Sequence, residues 1–350
     1  MQSPGELRGR TISATALSAA EIVAWDALCR EVPQLSSPFL SPHYALAVAA
    51  VRPHVYVCVL TRAARPVGFL PFQFRTAVHR LLRSAERVGE EMTDYFGLIA
   101  QPGLKLDASW LLRLSGLQVL NFSHLDETQA EWGLSGEEPE AGYLMRLDEP
   151  EPYWQMLRRT HKEFVTNTER RARQVEKECG PLRFTADERN WREPLDNLLR
   201  YKARQYAATG RSDLFAVGWK RALVEKLAAM REETCAGMLS TLHAGETWLA
   251  SHFGLRCGGV LHYWFPVYNP EFSRFGPGRL LIKALIDHSR QMNLRLIDHG
   301  GGEARYKQEC SNSAHTYYRG VWQRAGVRSL LGRAAESARW RMERAAAESR

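Results

Sequence analysis

The sequence predicts an α/β (α+β) protein of two related units, each a mixed sheet flanked by helices. Apolar, β-favouring runs alternate along the chain with stretches of helical periodicity. The order hairpin, strand, helix, strand occurs once in each half, although the halves share little identity. At 350 residues the chain is also too long for one ordinary core, so two domains are expected.

In the first half, Val55 to Thr61 and Pro66 to Phe74 are joined by Arg62-Ala63-Ala64-Arg65, which predicts a hairpin. Tyr95 to Ala100 reads as a strand, Leu106 to Leu114 as a helix and Leu117 to Phe122 as a further strand. The acidic stretch from Asp126 to Glu140 reads as a surface loop. From Pro152 to about Arg231 the pattern is helical. Trp154, Leu157, Phe164 and Val165 share part of one face, and Leu195, Leu198, Leu199 and Lys202 follow the same spacing. The segment from Thr209 to Asp213 is a loop, and a third helix is expected from about Trp219 to Met230. Strands then return: Met238 to His243 and Thr247 to Arg256 as a hairpin, and Val260 to Val267 after Gly258-Gly259. Gly276-Pro277-Gly278 precedes a helix with Leu280, Leu281, Ala284, Leu285 and His288 on one face. Leu294 to Ile297 is the next strand, ending at Asp298-His299-Gly300-Gly301-Gly302-Glu303. The domain division expected is 1–150, then 151–327 with a helical lead-in, then a basic helix-prone tail over 328–350.

With 45% apolar and 25% charged residues the composition is that of a soluble globular protein. No stretch approaches the roughly 18–20 apolar residues of a membrane span, and the N-terminus does not read as a signal peptide. The six cysteines are scattered without a C-x-x-C pair, so neither a disulfide framework nor a zinc site is expected. A cytoplasmic location follows, and the basic tail would allow a peripheral seat on the inner face of the membrane. The formal charge of +8 favours anionic partners without choosing among nucleotides, CoA, sugar phosphates, nucleic acid and lipid. Other chemistries fit poorly. His299-Gly300-Gly301-Gly302 is similar to an esterase oxyanion loop, yet no G-x-S-x-G exists. There is no G-x-x-x-x-G-K-[ST] loop and no H-E-x-x-H helix.

The segment that carries chemistry runs from His262 to Gly278. A strand enters a short loop with two glycines and a helix starts at once. The free N–H groups and positive end of that helix attract phosphate. Gly276 and Gly278 let the backbone approach a pyrophosphate, Pro277 suits a first helical position, and Arg274 and Arg279 add positive charge. Alone, this pattern is also that of an ordinary turn.

With its surroundings, the segment resembles the acyl-CoA loop of GNAT acetyltransferases, Q/R-x-x-G-x-G/A, except that Ser273 stands where Gln or Arg is expected. Residues 150–325 further resemble the C-terminal domain of CelD/BcsL-like acetyltransferases found with polysaccharide biosynthesis. The resemblance is carried by Gly245-Glu246, Ala250-Ser251-His252-Phe253-Gly254, His262-Tyr263-Trp264, Val267-Tyr268, Pro277-Gly278, Asp298-His299-Gly300, Glu303 and Tyr306-Lys307. The same group is similar to the tandem-GNAT FemAB/FemX ligases. The N-terminal unit has only Gln101-Pro102-Gly103 before its helix, so it is expected to wall the substrate cleft rather than hold a second CoA.

The resemblance implies acetyl-CoA as co-substrate, no metal, and direct attack of an amine on the thioester. A backbone N–H on the strand from Phe265 through Val267 to Tyr268 would polarise the carbonyl. Asp298, His299 or Glu303 would be the base, directly or through water, and Tyr306 or Lys307 would stabilise the thiolate or fix an anionic substrate. Glu303→Gln or Asp298→Asn is expected to lower turnover and spare acetyl-CoA affinity. Arg159, Lys162, Thr166, Arg170 and Arg173 fall on one helical face. With Arg211, His252 and His262 they are candidate contacts to a nucleotide- or lipid-linked sugar, the alternative being a solvated face and core histidines. No DNA partner is expected; a cyclic dinucleotide is a further candidate. The function expected is N-acylation of an amino sugar or sugar intermediate in surface-polysaccharide biosynthesis. The alternatives are a FemX-like transferase using aminoacyl-tRNA and a non-catalytic nucleotide-binding effector.

Overall fold

The computed structural model describes residues 6–149, 151–302 and 304–325. They fall into two compact units, one of 6–35, 39–140 and 316–325, the other of 36–38 and 141–315. The observed breaks fall near 140 and near 315, where the expected boundary is at 150; the expected boundary at 327 lies outside the described residues.

The first unit begins with β1 (Arg8–Ser13), then α1 (Ala19–Glu31) and α2 (Pro42–Ala49). Ser18 and Glu21 cap α1 reciprocally, side chain to backbone in both directions. β2 (Val55–Arg62) and β3 (Arg65–Gln73) form the expected hairpin, with Ala63 and Ala64 both at positive φ in its two-residue turn. α3 (Ala77–Leu82), β4 (Ser84–Glu86), β5 (Ile99–Ala100), α4 (Ala108–Ser115) and β6 (Val119–Asp126) complete this stretch. The expected strand at Tyr95 shrinks to two residues of β5, which pair with β3.

The chain continues with β7 (Glu138–Arg146), α5 (Tyr153–Thr160), α6 (Lys162–Cys179), β8 (Leu182–Thr185), α7 (Arg192–Ala208) and α8 (Gly218–Ala229). β9 (Arg231–Glu232) pairs with the start of β10 (Cys235–Ala244), which forms a hairpin with β11 (Thr247–Cys257). β12 (Val260–Tyr268), α9 (Pro277–His288), β13 (Leu296–Gly301), α10 (Arg305–Cys310) and β14 (Ser313–Gln323) follow. Part of the expected acidic loop before residue 140 is thus the start of a strand. β1, β4, β7, β8, β9 and β14 are strands beyond those expected.

The internal repeat is confirmed in the pairing. The first unit's sheet runs β1-β2-β3-β4-β6-β14 and the second's runs β8-β10-β11-β12-β13-β7. In both, the sequence of pairings is antiparallel, antiparallel, antiparallel, parallel, antiparallel. In both, two helices lie between the first strand and the hairpin, and one helix bridges the parallel pair. Each parallel step needs such a crossover, because a tight turn can only reverse the chain. The sixth strand is exchanged in sequence: β14, from after the second unit, completes the first sheet, and β7, from before it, completes the second. The fold is therefore a mixed α/β one with two similar units.

In the second unit, α9 buries Leu280, Leu281 and Ala284 against Leu242, Leu249 and Ala250 of the hairpin, with Phe275 and Val175 of α6. Ile282, Leu285 and Ile286 join a second cluster with Leu261, Ile297, Leu157 and Phe164. This packing fixes the N-terminus of α9 beside the end of β12. All six cysteines are free, and no helix among the described residues is long and apolar enough to cross a membrane.

Candidate active site

The site is made by a parting of strands in the second unit. β12 and β13 pair only at Val260–Leu296, Leu261–Ile297 and His262–Asp298, after which β12 continues to Tyr268 without that neighbour. Asp298 sits at the separation. Its Oδ1 accepts a hydrogen bond from Gly300 N–H at 2.7 Å, Gly300 lies at φ +65°, and the pairing of β13 with β7 shifts between Asp298 and Gly301. Asp298 Oδ2 also lies 3.5 Å from His262 Nδ1, both side chains buried.

A cavity of about 550 Å³ opens where the strands part. Its wall is Tyr263, Trp264, Pro266, Val267 and Tyr268 of β12; Lys202 and Gln205 of α7, with Arg211 beyond it; Ser273, Gly276, Pro277, Gly278, Arg279 and Ile282 at α9; and Tyr306 and Lys307 of α10. The Asn269 N–H donates to the Leu249 carbonyl, so Phe265 and Val267 turn their peptide groups to β11. Those of Trp264, Pro266 and Tyr268 face the side vacated by β13. Proline has no N–H, so in the stretch Phe265 to Tyr268 only Tyr268 can offer a donor to the cavity. The Pro266 carbonyl accepts from Lys202 Nζ at 3.2 Å.

The glycine loop closes one end. Gly276 is at φ +62°, and a Cβ there would meet the Arg171 guanidinium at 2.6 Å. At Gly278 a Cβ would meet nothing within 4 Å, so the first turn of α9 faces open space. Pro277 lacks an N–H, and Gly278 N–H has no intrahelical partner by its position. These features suit a phosphate. Arg279 joins the wall, held by Glu309 at 2.9 Å and lying over the Phe164 ring. Arg274 does not: it pairs with Glu178 and lies over Phe275.

The structure brings together Val267, Tyr268, Gly276, Gly278, Arg279, Arg211, Tyr306 and Lys307. Lys307 Nζ donates to the Gly301 carbonyl, and burial pushes the Tyr306 phenol up to about 12. Asp298, His299, His252 and His262 are buried behind the wall rather than on it, and Phe265 packs edge-on against Phe215. His299 Nε2 is 2.9 Å from Met145 Sδ and 3.5 Å from Cys310 Sγ, and burial drives its pKa down to about 3. His252 stacks on Tyr263 with rings 4.2 Å apart, and neither of its ring nitrogens has a hydrogen-bond partner. Glu303 lies outside the described residues, as does the basic tail. The basic face divides: His161 is non-helical, so Arg159 lies in the last turn of one helix and pairs with Glu151, while Lys162, Arg170 and Arg173 are exposed on the next.

Lys202 and Arg171 were not anticipated. Lys202 carried a signal, a lysine at the spacing of Leu195, Leu198 and Leu199 on an apolar stripe. Arg171 carried none, because it belongs to a helix rich in arginine.

Asp298→Ala is expected to cost about 1–3 kcal/mol of stability, through the buried Gly300 N–H left without an acceptor. Asp298→Asn retains an oxygen for that bond and is expected to lose less than half as much. Chemical denaturation measures both.

Residues 162–308 match the family model described as an acetyltransferase (GNAT) domain. The match contains the β12–α9 cavity, so this segment is similar to GNAT acetyltransferase domains and the site it holds is that of an acyltransferase. No curated protein matches the sequence. Among solved structures, FemX is similar at TM-score 0.59 and 9% identity, over 88% of this chain and 96% of FemX. The DUF2156 C-terminal domain of an Agrobacterium fabrum protein described as a lysylphosphatidylglycerol synthetase is similar at TM-score 0.51 and 9% identity, over 89% and 93%. A tandem GNAT protein from the clavulanic acid biosynthesis pathway aligns at TM-score 0.46 and 11% identity, over 92% of this chain and all of that one.

Proposed function

We propose that the protein transfers the acetyl group of acetyl-CoA to the amine of an amino sugar or sugar intermediate in surface-polysaccharide biosynthesis, as a CelD/BcsL-like enzyme. The observation that carries the transfer is the cavity at the parted end of β12, closed by the open first turn of α9 within the matched domain. In this reading Gly278 N–H and Arg279 hold the pyrophosphate, and Arg171 behind Gly276 supplies the charge that Ser273 does not. Trp264 and Tyr268 offer backbone groups to the pantetheine arm and thioester. Tyr306 and Lys307 face the departing sulfur. The wall has three cations, Arg211, Arg279 and Lys307, beside the amine of Lys202, and no carboxylate among the described residues, which suits an anionic donor.

Thiol release from acetyl-CoA, followed with glucosamine as acceptor, tests the reading. Acceptor-dependent release is expected; no release with glucosamine and no saturable binding of acetyl-CoA would remove it. A second reading, transfer from aminoacyl-tRNA, is favoured by the likeness to FemX across both units. It requires the charged tRNA, and not acetyl-CoA, to be the donor consumed.

A further inference from the structure

We infer that Lys202 is the proton acceptor of this site, its Nζ taking a proton from the acceptor's ammonium group before the amine attacks. The inference rests on the acyl-transfer reading above.

Only the free amine is nucleophilic, so the acceptor's ammonium must lose a proton, and a basic group on the cavity wall can take it. Asp298 holds the kink of β13, and His299 faces Met145 and Cys310 behind the wall. Neither reaches the cavity. Lys202 does, and it stands where the chemistry is needed: its Nζ is tied to the Pro266 carbonyl on the strand edge from which β13 has departed. A carbonyl only accepts, so this bond uses one N–H and leaves the lone pair of an uncharged Nζ directed elsewhere.

The surroundings bring that uncharged form within reach of neutral pH. Tyr206 on the same helix places its ring 5.4 Å from Nζ, a contact that favours the cation, but burial holds its phenol protonated, with a pKa raised to about 12, so it adds no anion. The other charged groups on the wall are Arg211, Arg279 and Lys307, all cationic, with Tyr306 a protonated phenol. Burial first, and Arg211 second, bring the Lys202 ammonium down to about 8. A lysine in this range is an effective base near neutral pH.

In the step, an N–H bond of the ammonium breaks, its electrons stay on nitrogen, and Nζ becomes an ammonium. The amine lone pair forms the C–N bond to the thioester carbon, and the C–S bond breaks as thiolate departs. The amine's second proton goes to the thiolate, giving free thiol, and Lys202 returns its proton to solvent.

The test has two arms on the full chain. Pulses of dilute acetic anhydride across pH 7–11, read by peptide mass analysis, should modify Lys202 with a midpoint near pH 8 and exposed lysines near the ordinary value of about 10.4. With acetyl-CoA and glucosamine, Lys202→Met should lower kcat about 100-fold or more and leave the KM for acetyl-CoA within about twofold. It should also abolish the rise of kcat/KM near pH 8, and Lys202→Arg should not restore it, since arginine stays charged. A labelling midpoint near 10, or a wild-type pH profile in Lys202→Met, overturns the assignment. So does an inflection that survives in Lys202→Met and vanishes in Glu303→Gln. Absence of turnover by the unaltered protein overturns the acyl-transfer reading, and with it this role.

Discussion

Gly278→Glu is expected to abolish saturable binding of acetyl-CoA while leaving the protein folded. A Cβ at this position meets nothing within 4 Å, so a side chain can leave the helix there toward the cavity without forcing the backbone to shift. An acidic residue in the first turn of a helix also complements its positive end, so the melting temperature should hold or rise slightly. The same side chain places bulk and negative charge where the pyrophosphate would sit. A loss of at least about 100-fold in affinity is expected, equivalent to about 2.7 kcal/mol. Gly278→Ala adds a methyl group to the same open space and separates charge from size; it should bind within about tenfold of the unaltered protein. Calorimetric titration measures all three proteins, and wild-type Kd in Gly278→Glu would place the acyl donor elsewhere.

The second large effect is on acid stability. His252 and His299 are buried, and burial holds both pKa values below the usual 6.5, that of His299 near 3. In the unfolded chain each takes up a proton as pH falls through about 6.5, and in the folded chain neither does until far lower. The unfolded state then binds more protons, so the stability present above pH 6.5 is lost on acidification. Each residue contributes a slope of up to about 1.4 kcal/mol per pH unit, so the pair removes several kcal/mol between about pH 6.5 and 4.5. His252→Phe keeps the stacking on Tyr263 and removes one of the titrating groups, leaving His299 and His243, whose pKa burial also lowers. Urea melts at pH 7.5, 6.5 and 5.5 should show a clearly shallower acid slope in that variant. Equal slopes in the two proteins would mean that His252 is not held neutral.

Much of the second unit was legible because its elements are long and strongly patterned. The β10–β11 hairpin, β12 and α9 lie within a few residues of the expected bounds, since alternation and the Leu280–Leu285 face are local properties of the chain. β7, β8 and β14 were not. The first half of β7 is acidic and exposed, β8 has four residues at a sheet edge, and β14 becomes a strand by pairing with β6, nearly two hundred residues away in sequence. The glycine loop before α9 was visible from its two glycines and proline. The wall facing it was not, because Lys202, Arg211 and Tyr306 meet only in the fold.

The sequence alone determined the class of fold, the repeat, and the loop at Gly276 to Gly278, because each depends on spacing within a short segment. Only the tertiary structure decided which ionisable groups meet the cavity. Asp298, His299 and His252 stood among the candidate site residues, and burial placed them inside: one holds a strand's kink and two are kept neutral. Lys202 stood in an apolar stripe, and the parting of β12 from β13 brought it to the wall. The physical reason is common to these cases. Burial, which sets whether a charge is reachable and how readily it forms, arises from packing between distant segments and is not a property of any one of them.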